Sequence, residues 1–415
     1  MSSVDAIFSP QRPRLQLNDR KYSPELQRKL SETAALTHSF DGAARVSALW
    51  CDFSLGHRTV SRVVEEIGAE LVAKRNQSVD DFTHHRRNPE GVDPRHELAV
   101  VFVDGGRVQI RNDEWGVELP PGEKKNFWRE DKIARLQTMT TRCHSTDPCP
   151  ELPTCFAQPI LHGVAMTCTK ATDSGDFLDQ LASPAPVKTS AESWQPKPKT
   201  RTGVATMEAL EGFRWMVQTE AKRRHFFTAT RRAFVADGSS GNWSLHAKHF
   251  ADFVPILDFV HASEYLHAAA KALGIRTADC PWVRDVWQGR AAEVVAALRT
   301  ELDGRGVGVE SLEDQHELHP VQRAWTYLSN ASDKLDYPRY RREGLPCTSS
   351  LIESQIKEFN TRLKGTEKFW NKEQAEAMLE LVNWTLREDG PTLETYFDTR
   401  TTSPFRRSAT TTLAA

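Results

Sequence analysis

The stretch Leu98-Ala99-Val100-Val101-Phe102-Val103-Asp104-Gly105-Gly106 decides the architecture. Six apolar residues run without a polar break, the mark of a strand buried on both faces. A carboxylate then marks the point where that strand ends. Beyond the two glycines, Arg107-Val108-Gln109-Ile110-Arg111 alternates apolar with polar, so a β-hairpin turning at Gly105-Gly106 is expected.

Two more runs share this form. Arg231-Arg-Ala-Phe-Val-Ala-Asp237-Gly238 is a short apolar strand closed by Asp-Gly, and Pro255-Ile-Leu-Asp258-Phe-Val-His261 is another closed by polar side chains. Helices are expected at 207–222, 243–250 and 261–273, with further helix across 281–335. Residues 128–139 read as helical or extended, and 160–167 as a strand. Strands alternating with helices predict an α/β fold, whose binding sites lie beyond the carboxyl ends of the strands.

The run from Gly344 to Lys364 completes the pattern. Ile352, Ile356, Phe359 and Leu363 form an apolar stripe, while Glu353, Lys357, Asn360 and Lys364 share a neighbouring face at i, i+4, i+7 and i+11. One carboxylate among cations suggests a metal ligand placed beside a polyanion. Between Arg339 and Lys372 eight Lys or Arg face four Glu, so this segment is basic although the chain as a whole carries a net charge of -2.

The first 20 residues are polar and expected to be disordered. Residues 21–80 contain three helical patterns, one with Ser23 as cap and Pro24 at its first position, one at 41–49 and one at 55–71. The last exposes Arg58, Thr59, Ser61 and Arg62 near its start, as a helix that reads a DNA groove would. A proline-rich segment at 183–202 is expected to be a flexible insertion. No apolar stretch reaches the roughly 18 residues of a membrane span. Seven scattered cysteines point to a reducing cytosol. Neither His84, His85 and His96 nor Cys143, His144, Cys149 and Cys155 have the tight knuckle spacing of a zinc site.

Strand ends at Asp104 and Asp237 with a helix carrying Glu353 supply oxygen donors of the kind that hold Mg²⁺. Asp258 and His261 lie close in sequence to the same ends. Neither a phosphate-cradling glycine loop, a dinucleotide fingerprint nor a Gly-x-Ser-x-Gly elbow is present, which disfavours a metabolic hydrolase.

Together these motifs resemble the bacterial insertion-sequence transposases of the DDE type, most closely the ISKra branch. The resemblance rests on Val103-Asp104-Gly105, Ala236-Asp237-Gly238, Asp258-Phe-Val-His261 with Tyr265-Leu266, and Gly344-Leu-Pro-Cys-Thr-Ser-Ser-Leu-Ile-Glu353-Ser, and continues through Lys357, Arg362-Leu-Lys364 and Phe369-Trp370. It covers roughly 95–390. Where some relatives have Ile-Gly-Ser-Gly before the glutamate, this chain has Cys347-Thr-Ser-Ser.

The resemblance implies an RNase H-like mixed sheet flanked by helices, with an all-helical insertion, preceded by a small helix-turn-helix-like domain. The implied divisions are 21–80 for DNA binding, 95–262 for the first part of the core, 263–337 for the insertion, 338–390 for the catalytic C-terminal helices and 391–415 for a flexible tail. Asp104, Asp237 and Glu353 would hold Mg²⁺, with Mn²⁺ able to substitute. Asp258 is the alternative second aspartate, and otherwise Asp258 and His261 would orient the substrate. Arg339, Arg341, Arg342, Lys357, Asn360, Arg362, Lys364 and Trp370 would contact DNA.

The implied activity is strand cleavage and strand transfer at the terminal inverted repeats of an insertion sequence. The implied partners are double-stranded DNA and a second copy of the chain, in the bacterial cytoplasm at the nucleoid. The rival is an inactive or domesticated transposase-derived protein that binds DNA without cutting it.

Overall fold

The computed structural model describes residues 22–50, 54–86, 95–111, 127–156, 194–276, 280–310, 312–365 and 368–400. Strand β1 (Leu98–Gln109) is central to it. Leu98, Val100 and Phe102 join one hydrophobic cluster, and Ala99, Val101 and Val103 join a second on the opposite face. Both faces are covered, so both sets of alternate side chains are apolar.

The expected turn at Gly105-Gly106 is not there. β1 runs straight through, paired antiparallel with β2 (Trp128–Thr140) from Leu98↔Met139 to Gln109↔Trp128. The glycines serve a close approach instead. A Cβ on Gly106 would lie 2.7 Å from Oδ1 of Asp131, the buried residue opposite it. Residues 128–139 are thus extended.

β3 (Lys197–Thr206) pairs antiparallel with β2, so 197–202 is sheet and not flexible insertion; 160–167 and 183–193 lie outside the described residues. β4 (Arg231–Ala236) and β5 (Val254–Leu257) are parallel to β1, giving the order β3-β2-β1-β4-β5 with β2 alone reversed.

Helices cover both faces. On one lie α4 (Leu210–Arg223) and α5 (Ser240–His249). On the other lie α6 (Phe259–Ala272), α11 (Ser350–Leu363) and α12 (Lys372–Thr385). Between α6 and α11 come the helical elements expected at 281–335, α7 (Trp282–Trp287), α8 (Ala291–Asp303) and α9 (His319–Asn330), followed beyond that range by α10 (Tyr337–Arg342).

The N-terminal helices are α1 (Pro24–Leu36), α2 (Phe40–Trp50) and α3 (His57–Thr83). Ser23 caps α1 as expected, accepting from the Leu26 amide at 3.3 Å. The third helix is longer than its sequence pattern suggests, and packs along α12. Gly68 allows this, since a Cβ there would stand 2.6 Å from the Ala377 carbonyl oxygen. Arg75 forks to Glu376 at 2.8 Å and Glu380 at 3.1 Å. The three helices share one hydrophobic cluster with the sheet.

The segment expected to be a flexible tail holds α13 (Leu393–Thr399), whose Leu393, Tyr396 and Phe397 are buried. Residues 1–21 and 401–415 lie outside the described residues. Among the described residues no helix is long and apolar enough to cross a membrane.

Candidate metal centre

Register places the aspartates. Val103 pairs with Ala236 across β1 and β4, and Ala236 with Leu257 across β4 and β5. The next residue on each strand is Asp104, Asp237 and Asp258. Three carboxylates therefore stand side by side where the parallel pairing of β1, β4 and β5 ends; β4 and β5 stop there, while β1 continues beside β2 to Gln109. Asp104 follows the alternation of Val100 and Phe102, and Asp237 that of Ala233 and Val235, so both belong to the face that α6 and α11 cover.

Glu353 reaches this row from the first turn of α11. Its helix sits as the sequence predicts, with Ile352, Ile356, Phe359 and Leu363 all buried. The preceding loop is fastened to β5 and α6. The Phe259 amide donates to the Cys347 carbonyl at 3.0 Å, and the Ser349 amide donates to Oδ1 of Asp258 at 2.7 Å. Small side chains at Thr348, Ser349 and Ser350 let the backbone pass close to the aspartates.

Asp258 is fully buried and fully engaged. Besides Ser349, it caps α6 by accepting from the His261 amide at 3.1 Å, and its Oδ2 lies 2.6 Å from Nδ1 of His261. Burial opposes its charge, but the hydrogen bonds and the imidazolium outweigh it and hold its carboxyl below the usual range. Burial likewise lowers His261, yet the bond to Asp258 and its charge dominate and raise His261 to about 10. His261 is thus a cation at neutral pH.

Asp104 and Glu353 are shifted the other way. Burial, then repulsion from Asp237 and Asp258, pushes Asp104 up to about 6 despite a 2.7 Å bond from the Gly105 amide. Burial and the Asp258 charge push Glu353 up to about 7. Asp237 accepts from the Ser239 amide at 3.0 Å and from Asn242 at 2.8 Å, both through Oδ1.

Donor atoms of Asp258, His261 and Glu353 lie within 4.8 Å of one another. Of these, Asp258 has both oxygens committed, to Ser349 and His261; Asp104 and Asp237 stand outside this group, with Asp104 close enough for its charge to raise Glu353. The excess of carboxylates over cations, and the all-oxygen character of Asp104, Asp237 and Glu353, fit a hard divalent cation such as Mg²⁺ or Mn²⁺. Among the described residues, Cys143, His144, Cys149, His84, His85 and His96 form no metal-binding group.

The expected DNA contacts divide. Arg58, Arg62, Arg339, Arg342 and Lys357 are exposed, while Thr59, Ser61, Asn360 and Lys364 are half-buried. Arg339 pairs with Glu343 at 2.8 Å, and Ser61 donates to Glu65 at 2.6 Å.

Three expectations are corrected. Arg341 is wholly buried, bonded to Asp147 and lying 4.1 Å over the Trp287 ring. Arg362 is buried between Phe40 and Trp370 and donates to the Ala34 carbonyl at 2.8 Å. Trp370 is buried too, and its indole donates to Leu363 at 2.9 Å. These three knit the interior and present no surface to a ligand.

Two features escape the sequence pattern. Asp131 is a buried carboxyl that burial pushes up to about 6; the period-2 step to Ile133 carried the signal. Tyr327 of α9 lies against Gly238, where a Cβ would meet its ring at 2.1 Å. No local motif announces that contact.

No model of a known protein family matches the chain, and no curated protein sequence matches it.

Proposed function

We propose that the protein is a DDE-type DNA transposase with an RNase H-like core, cutting and joining phosphodiesters at the ends of its own insertion sequence. The observation that carries this is the row Asp104, Asp237, Asp258 on β1, β4 and β5, met by Glu353 from α11 on a sheet ordered β3-β2-β1-β4-β5. Asp104, Asp237 and Glu353 would hold Mg²⁺, which would supply activation of an attacking oxygen and stabilisation of a leaving one in phosphodiester chemistry.

The chain's own groups have separate tasks. Asp258 does not bind metal; it fixes His261 and the loop before Glu353 in one geometry. His261 keeps a positive charge beside Asp104 and Glu353, offsetting part of their repulsion. Asp237 is oriented by Ser239 and Asn242. Lys357, exposed one turn beyond Glu353, and Arg342 meet DNA phosphates, while Arg58 and Arg62 at the start of α3 belong to the end-recognition helices. The protein acts in the bacterial cytoplasm as a dimer or higher oligomer on DNA.

The test is a labelled duplex carrying the DNA ends that flank the chain's own gene, incubated with Mg²⁺ or EDTA. Metal-dependent nicking lost in both Asp104→Asn and Glu353→Gln is the expected result. Binding without nicking by the wild-type chain would replace this reading with that of an inactive, DNA-binding derivative.

A further inference from the structure

Beside Asp237 opens a cavity of about 640 Å³, framed by the start of α5, by α6 and by α9. Its lining includes Gly238, Ser240, Trp243, Tyr265, Arg323 and Lys334. This volume is in the range that accepts a small organic ligand.

The cations in its wall are held on aromatic rings. The Arg323 guanidinium lies 5.2 Å over the Tyr265 ring and donates to its hydroxyl at 3.1 Å. The Lys334 ammonium lies 5.1 Å over the Trp243 ring. Lys334 also reaches Asp333, which is itself largely exposed. Tyr265 in turn stacks on Tyr327 at 4.1 Å, which holds that ring in place. The N-terminus of α5 already meets the Asp237 carboxylate, which accepts from the Ser239 amide at 3.0 Å, and Ser240 lines the cavity beside it.

The two ring-mounted cations, Arg323 and Lys334, form an anion seat. Flat aromatic surfaces beside it suit a planar base. We propose that this cavity seats one nucleotide of a nucleic-acid strand, its phosphate between Arg323 and Lys334 and its base against Trp243 and Tyr265. The proposal rests on the phosphodiester chemistry inferred above and names the place where the strand leaving Asp237 is gripped. Tyr327 couples the two, since it touches both Gly238 and Tyr265.

The experiment uses the full chain in EDTA, so that no strand is cut, with a fluorescent single-stranded oligothymidylate followed by anisotropy. Arg323→Ala and Lys334→Ala should each weaken binding roughly tenfold, and each should lower the slope of log affinity against log salt by about 0.7. Arg323→Lys and Lys334→Arg should retain most of the affinity, which separates charge from folding. An oligonucleotide carrying 5-iododeoxyuridine should photocrosslink to Trp243 or Tyr265.

Unchanged binding by the double alanine variant, with crosslinks elsewhere, would overturn the cavity and leave the transposase reading standing. Absence of binding to any DNA, single-stranded or duplex, would sink both. Displacement by thymidine monophosphate or inorganic phosphate as effective as by the oligonucleotide would make the occupant a free anion and not a strand.

Discussion

Asp258 accepts a hydrogen bond from the backbone of Ser349 at 2.7 Å, across 91 residues of chain. One buried carboxylate thereby joins the end of β5 to the turn that launches Glu353. The same carboxylate binds His261 twice. Removing it strands a buried amide and an imidazolium together. Asp258→Ala is expected to cost about 3–5 kcal/mol in denaturant unfolding. A loss under about 1 kcal/mol would show that the turn is held by something else.

The shifts of Asp104 and Glu353 have a sign that can be followed by pH. Their carboxyls sit above the ordinary range, at about 6 and about 7, so the folded chain binds more protons than the unfolded one between pH 4 and 7. Their contribution to stability is present below about pH 4 and is lost as pH rises through those values. The wild-type chain should lose stability over that window relative to the Asp104→Asn, Glu353→Gln double variant, in metal-free buffer. Parallel pH curves for the two proteins would contradict this.

Cation binding should show the complement. Mg²⁺ or Mn²⁺ must displace the protons on these two groups, so apparent affinity should climb from pH 5.5 to 8 and level off above. Calorimetry at pH 6.5 in buffers of different ionisation enthalpy should register proton release. A binding heat independent of buffer would exclude Asp104 and Glu353 as the ligands.

Gly238 tests the contact between α9 and the strand end. Gly238→Ala should destabilise by about 1–3 kcal/mol, because its Cβ would press into the Tyr327 ring. In a Tyr327→Ala background the same change should cost almost nothing. Additive costs in the double variant would mean that the two residues do not meet.

The arginines near α11 should separate cleanly. Arg362→Ala should cost about 2 kcal/mol or more, since it empties a slot between two rings. Lys357→Ala should stay within about 0.5 kcal/mol of wild type in stability. It should weaken duplex binding and reduce the salt slope by about 1. The opposite pattern would put Arg362 on the DNA and Lys357 in the structure.

Local chemistry made much of this legible. Six apolar residues before Asp104 meant a central strand, and the stripe Ile352, Ile356, Phe359, Leu363 meant a packed helix beneath Glu353. What stayed hidden depends on distant partners. Arg341 and Arg362 look like surface cations until Asp147 and the Phe40–Trp370 pair close over them. Gly105-Gly106 looks like a turn because the buried Asp131 that it accommodates lies on another strand. The commitment of Asp258 to Ser349 and His261 likewise needs three dimensions, which is why Asp237 and Asp258 could not be ranked by spacing alone.

The far end of α11 is also tied down. Beyond it, the backbone of Trp370 bonds to Gln109 at 3.0 Å and to Arg111 at 2.8 Å, an isolated bridge to the end of β1. With Ser349 anchored at its start, the helix is a beam pinned at both supports. The helix that carries Glu353 is thereby held against the aspartates despite their mutual repulsion. The charge stress at this corner can be discharged by protons or by a cation, and not by motion of the helix.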